Sequence, residues 1–205
     1  RYTLTAGAAV TSNRLQLQDF YHMFHFEGAP TFEPFDGSAA VNARGEYVLG
    51  RPGDDRDGVM TVKMEAHNGD ITAYGERFQN VSAALSYDWL RRREGVRGAS
   101  VRLDRFAARK GAGTVEIAGT MDPGARMHFT ATARDLSLDT FDALQPQTPG
   151  ASPIARGSLG ALVTVGGTPD APRVSASVQL GQLVALGRPL GAIAAEITQT
   201  PTSTF

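Results

Sequence analysis

A chain of 205 residues with 41% hydrophobic content is long enough for one large domain or two small ones and ordinary enough in composition to fold. Lys and Arg number 20 against 21 Asp and Glu, which removes the positive field that a nucleic-acid binder needs. The lack of cysteine excludes thiolate metal sites, thiol nucleophiles and disulfides. No apolar run reaches the roughly 18 residues of a membrane span, and the opening RYTLTAGAAV lacks the apolar centre of a signal peptide. With no initial Met and a strand-like run just before TPTSTF, the chain reads as a piece of a longer one, whose anchor or export signal would lie elsewhere.

Period-two alternation, the pattern of side chains pointing to opposite faces of a sheet, runs through most of the sequence. It predicts strands at Tyr2–Val10, Asn13–Gln18 and Ser38–Arg44. In VMTVKMEAH, Met60, Val62, Met64 and Ala66 alternate with Thr61, Lys63, Glu65 and His67; in NVSAALSYDW, Val81, Ala83, Leu85, Tyr87 and Trp89 share one side. Further strands are expected at Ala99–Arg105, Ala125–Ala133, Arg173–Leu180 and Ala192–Thr198. Turn signals separate them: RPGDDRDG at 51–58, NGD at 68–70, DPG at 122–124 and TPDAP at 168–172. LSLDTFDALQP is the one helical candidate, with Leu136, Leu138, Phe141 and Leu144 on one side and an end before Pro146. QPQTPGASP, 145–153, reads as a loop between a first segment of hairpins, 1–144, and a continuing segment, 154–205.

Two weak repeats stand out. GTVEIAGTMDPGARMHFTATARDLSL at 113–138 superposes on ALVTVGGTPDAPRVSASVQL at 161–180 with an offset of 48, Val115 on Val163 and Asp122 on Asp170. AYGERFQNVSAALS superposes on ALGRPLGAIAAEIT with an offset of 112, Gly75 on Gly187 and Phe78 on Leu190. Such repetition suggests a sheet that grows by adding hairpins. The ordinary use of an apolar sheet face is a sandwich core. Here, however, the inward positions are heavily Ala, Val and Gly and aromatic residues make up only 8%, so two such faces would interdigitate poorly. The expected fold is therefore all-β: an elongated, curved, mainly antiparallel sheet forming an open U-shaped groove with a hydrophobic interior. Met60, Val62, Met64, Val81, Leu85, Val115, Ile117, Met127, Phe129, Val163, Val165, Val178 and Ile197 would line it.

Strand, Gly-Thr, Pro-containing turn, strand, as in VTVGGTPDAPRVSASVQL, followed by a glycine-led run with an apolar patch, ALGRPLGAIAAEIT, resembles the repeated signature of the TamB and AsmA-like proteins of the bacterial envelope. The resemblance extends over Val96–Thr198 and, more loosely, Tyr2–Trp89. It implies a taco-like β-groove in the periplasm, tethered to the inner membrane by a segment outside this chain, that conducts phospholipid acyl chains between the inner and outer membranes. For TamB it also implies outer-membrane protein assembly with a BamA-like barrel partner, which would be met through a region outside this chain. Two other readings stand beside this one: a chaperone segment that holds outer-membrane strands by augmenting a sheet edge, and a structural β-solenoid stalk with a filled interior.

No constellation of residues points to catalysis. His22 and His25 in FYHMFHF have helical ligand spacing, but on a strand they point apart, and no third ligand is near. DDRD at 54–57 lacks the glycine and distal glutamate of a calcium loop and reads as a solvated turn. Arg91, Arg92 and Arg93 after Trp89 read as a charged loop that keeps a sheet edge soluble, though such a cluster also suits anionic head groups. Gly111 and Gly113 make no phosphate loop, since no Lys-Ser/Thr or helix follows, and Ser82 and Ser86 have no histidine-acid partners. No enzyme activity, cofactor or metal is expected, because moving hydrocarbon from water to an apolar face needs no ion or nucleotide.

Overall fold

The structure, a computed structural model, describes residues 4–19, 35–49, 56–92, 97–145 and 153–199. Ten strands follow one another: β1 Thr5–Gln16, β2 Phe35–Leu49, β3 Arg56–Ala73, β4 Glu76–Arg92, β5 Arg97–Lys110, β6 Gly113–Met121, β7 Met127–Ser137, β8 Ala155–Thr168, β9 Ala171–Ala185 and β10 Arg188–Gln199. Each pairs antiparallel with the next, so the spatial order is the chain order. The result is a single curved, all-β sheet that stays open, with β1 and β10 as its free edges, and does not close into a barrel. Among the described residues no second sheet packs on it, and β7 pairs with β8 on either side of the 145–153 connection, so the sheet runs unbroken from one segment to the other.

Short turns make this meander possible. Tyr74-Gly75, Gly111-Ala112 and Leu186-Gly187 are two-residue connections, with Gly75 and Gly187 at φ 81° and 75° in open space, a conformation that costs glycine little. The two glycines matched by the offset of 112 thus occupy equivalent bends. In the Asp122–Arg126 turn, the Asp122 carboxylate accepts the N–H groups of Gly124 and Arg126, both at 2.9 Å.

The strands are longer than the alternation predicts, because bulges carry them past points where the alternation changes phase. Of the runs expected as Tyr2–Val10 and Asn13–Gln18, Thr5–Val10 and Asn13–Gln16 fall in one strand with an irregularity between Ser12 and Leu15, Leu17 and Gln18 belong to a short helical turn, and Tyr2 and Thr3 lie outside the described residues. NGD is not a turn. Asn68, at φ 52°, makes a bulge in the middle of β3, and the chain turns later, at Tyr74-Gly75. Ala125, expected to start a strand, lies in the Asp122–Arg126 turn at φ 58°. Asn80, Asp135 and Gln182 repeat the left-handed bulge in β4, β7 and β9. The helical candidate is two 3-10 turns, Leu138–Thr140 and Asp142–Leu144, while Leu136 closes strand β7.

Candidate apolar binding face

In an antiparallel sheet, directly paired residues point to the same side, so the register identifies each face. Met64 pairs with Leu85, Leu85 with Leu103, Leu103 with Gly119, Gly119 with Phe129, Phe129 with Val165 and Val165 with Val174. Adjacent rows run Val62–Tyr87–Val101–Met121–Met127 and Ala83–Phe106–Ile117–Ala131–Val163–Ala176–Ile197. A fourth row, Ala108–Val115–Ala133–Ala161–Val178–Ala195, lies beyond these, and Val81 pairs with Gly69 at its level. Met60 pairs with Trp89 at the other end. All thirteen residues expected to line the groove therefore share one face, which crosses the sheet from β3 to β10.

Among the described residues, no second layer seals that face. Among the described residues no large side chain is fully buried, and only Val41, Val81, Ala108, Leu136, Leu138 and Leu183 form a well-buried apolar set. Toward the β10 edge the same face lies open, with Ile193 41% and Ile197 56% exposed. A dry core of a chain this long would bury large side chains completely. The opposite face is polar: Lys63, Glu65, Arg102, Glu116, Thr130 and Thr164 belong to it, and Glu116 bridges Arg105 at 2.9 Å and Arg134 at 3.6 Å. Two shallow depressions lie against this polar side, one beside Arg44 and Lys63, the other beside Arg134 and Gln179. Each mixes a few charged side chains with small aliphatic residues.

Alternation alone misses two lining residues and one device. Leu103 and Phe106 belong to the apolar face although they are three apart, because the bulge at Asp104-Arg105 turns both of those residues to the polar side. The phase slip in SVRLDRFAARK carries that signal. The device is an ion pair on the apolar face itself. Lys110 Nζ stands 2.8 Å from Glu76 Oε2, with side-chain exposures of 5% and 13%. The ammonium also donates to the Arg77 carbonyl at 3.3 Å and lies between the rings of Phe78 and Phe141, 5.4 and 5.0 Å from their centres. Glu76 in turn accepts the backbone N–H groups of Asp142 at 3.1 Å and Ala143 at 3.0 Å. Burial pushes its carboxyl pKa up. The Lys110 hydrogen bond, the two backbone donors and the Lys110 charge outweigh that, leaving it below the ordinary 4.5. The phase of Phe106, Ala108 and Lys110 in the sequence places a charge on an apolar face and flags Lys110, though not its partner.

The remaining candidates gather no chemistry. His22, His25, Asp54, Asp55 and Arg93 lie outside the described residues. Arg56 and Asp57 begin β3 rather than forming a turn, and Arg91 and Arg92 end β4. Gly111 is a turn residue and Gly113 the first of β6. Among the described residues, no three His, Cys, Asp or Glu side chains are grouped to hold a metal ion, and no helix is long and apolar enough to cross a membrane. Compared with known proteins, the chain matches no family model, no curated protein and no solved structure.

Proposed function

We propose that this chain is a non-enzymatic segment of a periplasmic, bridge-like protein that conducts phospholipid between the inner and outer membranes, with acyl chains lying on the apolar face and head groups at its open, wet seam. The observation that carries the proposal is the in-register apolar face that crosses successive strands, with no second layer filling it among the described residues. Each methylene moved from water onto such a face gains about 0.8 kcal/mol, and gains it equally at every row, so a chain can slide between rows without a deep trap. The resemblance of VTVGGTPDAPRVSASVQL and ALGRPLGAIAAEIT to TamB and AsmA-like repeats supports the same reading, together with an inner-membrane tether and a BamA-like partner, both met outside this segment.

A second reading, strand-holding during outer-membrane protein assembly, is favoured by one specific feature: among the described residues β1 and β10 each pair with one strand only, leaving an outer edge to the sheet. Mass spectrometry of what co-purifies with the chain from the bacterial periplasm separates the two. Bound phospholipid is the expected result. Bound outer-membrane protein without lipid would select the edge-pairing reading, and a chain with no guest would sink both in favour of a structural stalk.

A further inference from the structure

We propose that the two 3-10 turns spanning 138–144 are a latched cap that fixes one lateral limit of the apolar face, with Glu76 as the residue that positions them; this rests on the hydrocarbon-binding reading. Four observations meet here. The segment joins β7 to β8, yet its backbone is held by Glu76, 66 and 67 residues away at the start of β4. Lys110, from the end of β5, reaches the same carboxylate and lies against Phe141 of the segment. Leu136 and Leu138, which lead into the cap, are 3% and 7% exposed, and Val81 and Ala108, on the apolar face at the same end, are 4% and 2% exposed. Thr140 stands over the Gly111 turn, so close that a Cβ there would meet its Cγ2 at 3.0 Å.

The cap therefore lies on the apolar side of the sheet at one end of the strands, where the face is best buried. A guest chain is confined to the rows of Ile117, Phe129 and Val165, away from Val81 and Ala108. The ion pair makes the cap a latch rather than plain packing. Two backbone donors and an ammonium converge on one carboxylate, so the loss of a single side chain releases the β7–β8 connection from β4 while every strand ladder stays paired.

The test is amide exchange and apolar-dye binding on the intact chain, comparing wild type with Glu76→Ala/Lys110→Met. The double change removes both charges together and leaves no buried ion unpaired. Exchange at Asp142 and Ala143 should rise at least 100-fold with the β6 and β7 amides unchanged, and binding of N-phenyl-1-naphthylamine should rise at least threefold as the covered strip opens. Glu76→Gln/Lys110→Met keeps one acceptor and should show a smaller rise, which guards against misreading a folding defect. Unchanged exchange at 142 and 143 overturns the latch. Faster exchange with unaltered dye binding overturns the cap as a limit of the site. No dye binding by either protein overturns the hydrocarbon reading, whereas the amide result judges the latch by itself.

Discussion

Lys110 sits on the apolar face in phase with Phe106 and Ala108, and its charge is tolerated there because Glu76, the Arg77 carbonyl and two aromatic rings replace the water it gave up. Removing Glu76 alone leaves that ammonium unpaired and should cost about 3–5 kcal/mol, more than removing both partners together. The pH dependence follows from the direction of the Glu76 shift. Its folded pKa lies below the ordinary 4.5, so its contribution is complete above that value and is lost as pH falls through the folded pKa. Thermal melts should show a constant gap between wild type and Glu76→Ala/Lys110→Met from pH 8 to 5, narrowing only below about pH 4.5; a gap unchanged at pH 3 would contradict the assignment. Gly119 supplies a second prediction at this scale. It pairs with Phe129, and a Cβ there would collide with the His128 carbonyl oxygen and the Phe129 Cα as well as the Phe129 ring, so Gly119→Ala must shift the β7 backbone and should cost about 3 kcal/mol in a urea melt.

For single elements, the alternation made the strands and their apolar side legible, and DPG at 122–124 and Pro169-Asp170 lie in turns as expected, though the first turn extends to Arg126. What alternation hid were the bulges. Asn68-Gly69 has the composition of a hairpin turn, and only its continued pairing, with β2 on one side and β4 on the other, makes it a bulge. The Asp104-Arg105 bulge likewise ends the simple pattern at Arg105 while the strand continues to Lys110. The ion pair depends on residues from β4, β5 and the β7–β8 connection meeting in space, which no local pattern encodes. The actual turns carry unusual residues. Tyr74 and Leu186 hold φ of 52° and 49°, where Asn or Asp is favoured, and are 75% and 80% exposed. Leu186→Asn should raise stability by about 1 kcal/mol of relieved left-handed strain, whereas the Tyr74 ring meets Phe35 edge-on with ring centres 5.4 Å apart, so in Tyr74→Asn the lost contact offsets the relieved strain and stability should change little. A lower melting temperature for Leu186→Asn would show that its isobutyl group makes a stabilising contact at that lip.

Among the described residues the sheet is nearly one-dimensional, since each strand pairs with the strands before and after it in the chain, and the cap on Glu76 links elements 66 and 67 residues apart. Stability in such an array is a sum of neighbour terms, so strands with one neighbour should open before strands with two. The exposures agree with this order: every residue of β10 is exposed and most of β1 is, whereas β4 to β7 hold Val81, Ala108, Lys110 and Leu136. Native-state amide exchange should therefore be graded, fastest in β1 and β10, intermediate in β2 and β9, and slowest in β4 to β7 beneath the cap. The same logic bears on function. A carboxylate placed mid-face, as in Ile117→Asp or Val165→Asp, stays within reach of water along the open side of the sheet, so its desolvation cost falls well below that of a sealed core. These variants should keep the exchange gradient and lose hydrocarbon binding, while Thr164→Lys on the polar face should change neither. A single exchange rate shared by all ten strands would show one cooperative core instead. In that case a buried aspartate would unfold the chain outright, and the apolar face would be a packing surface with no room for a guest.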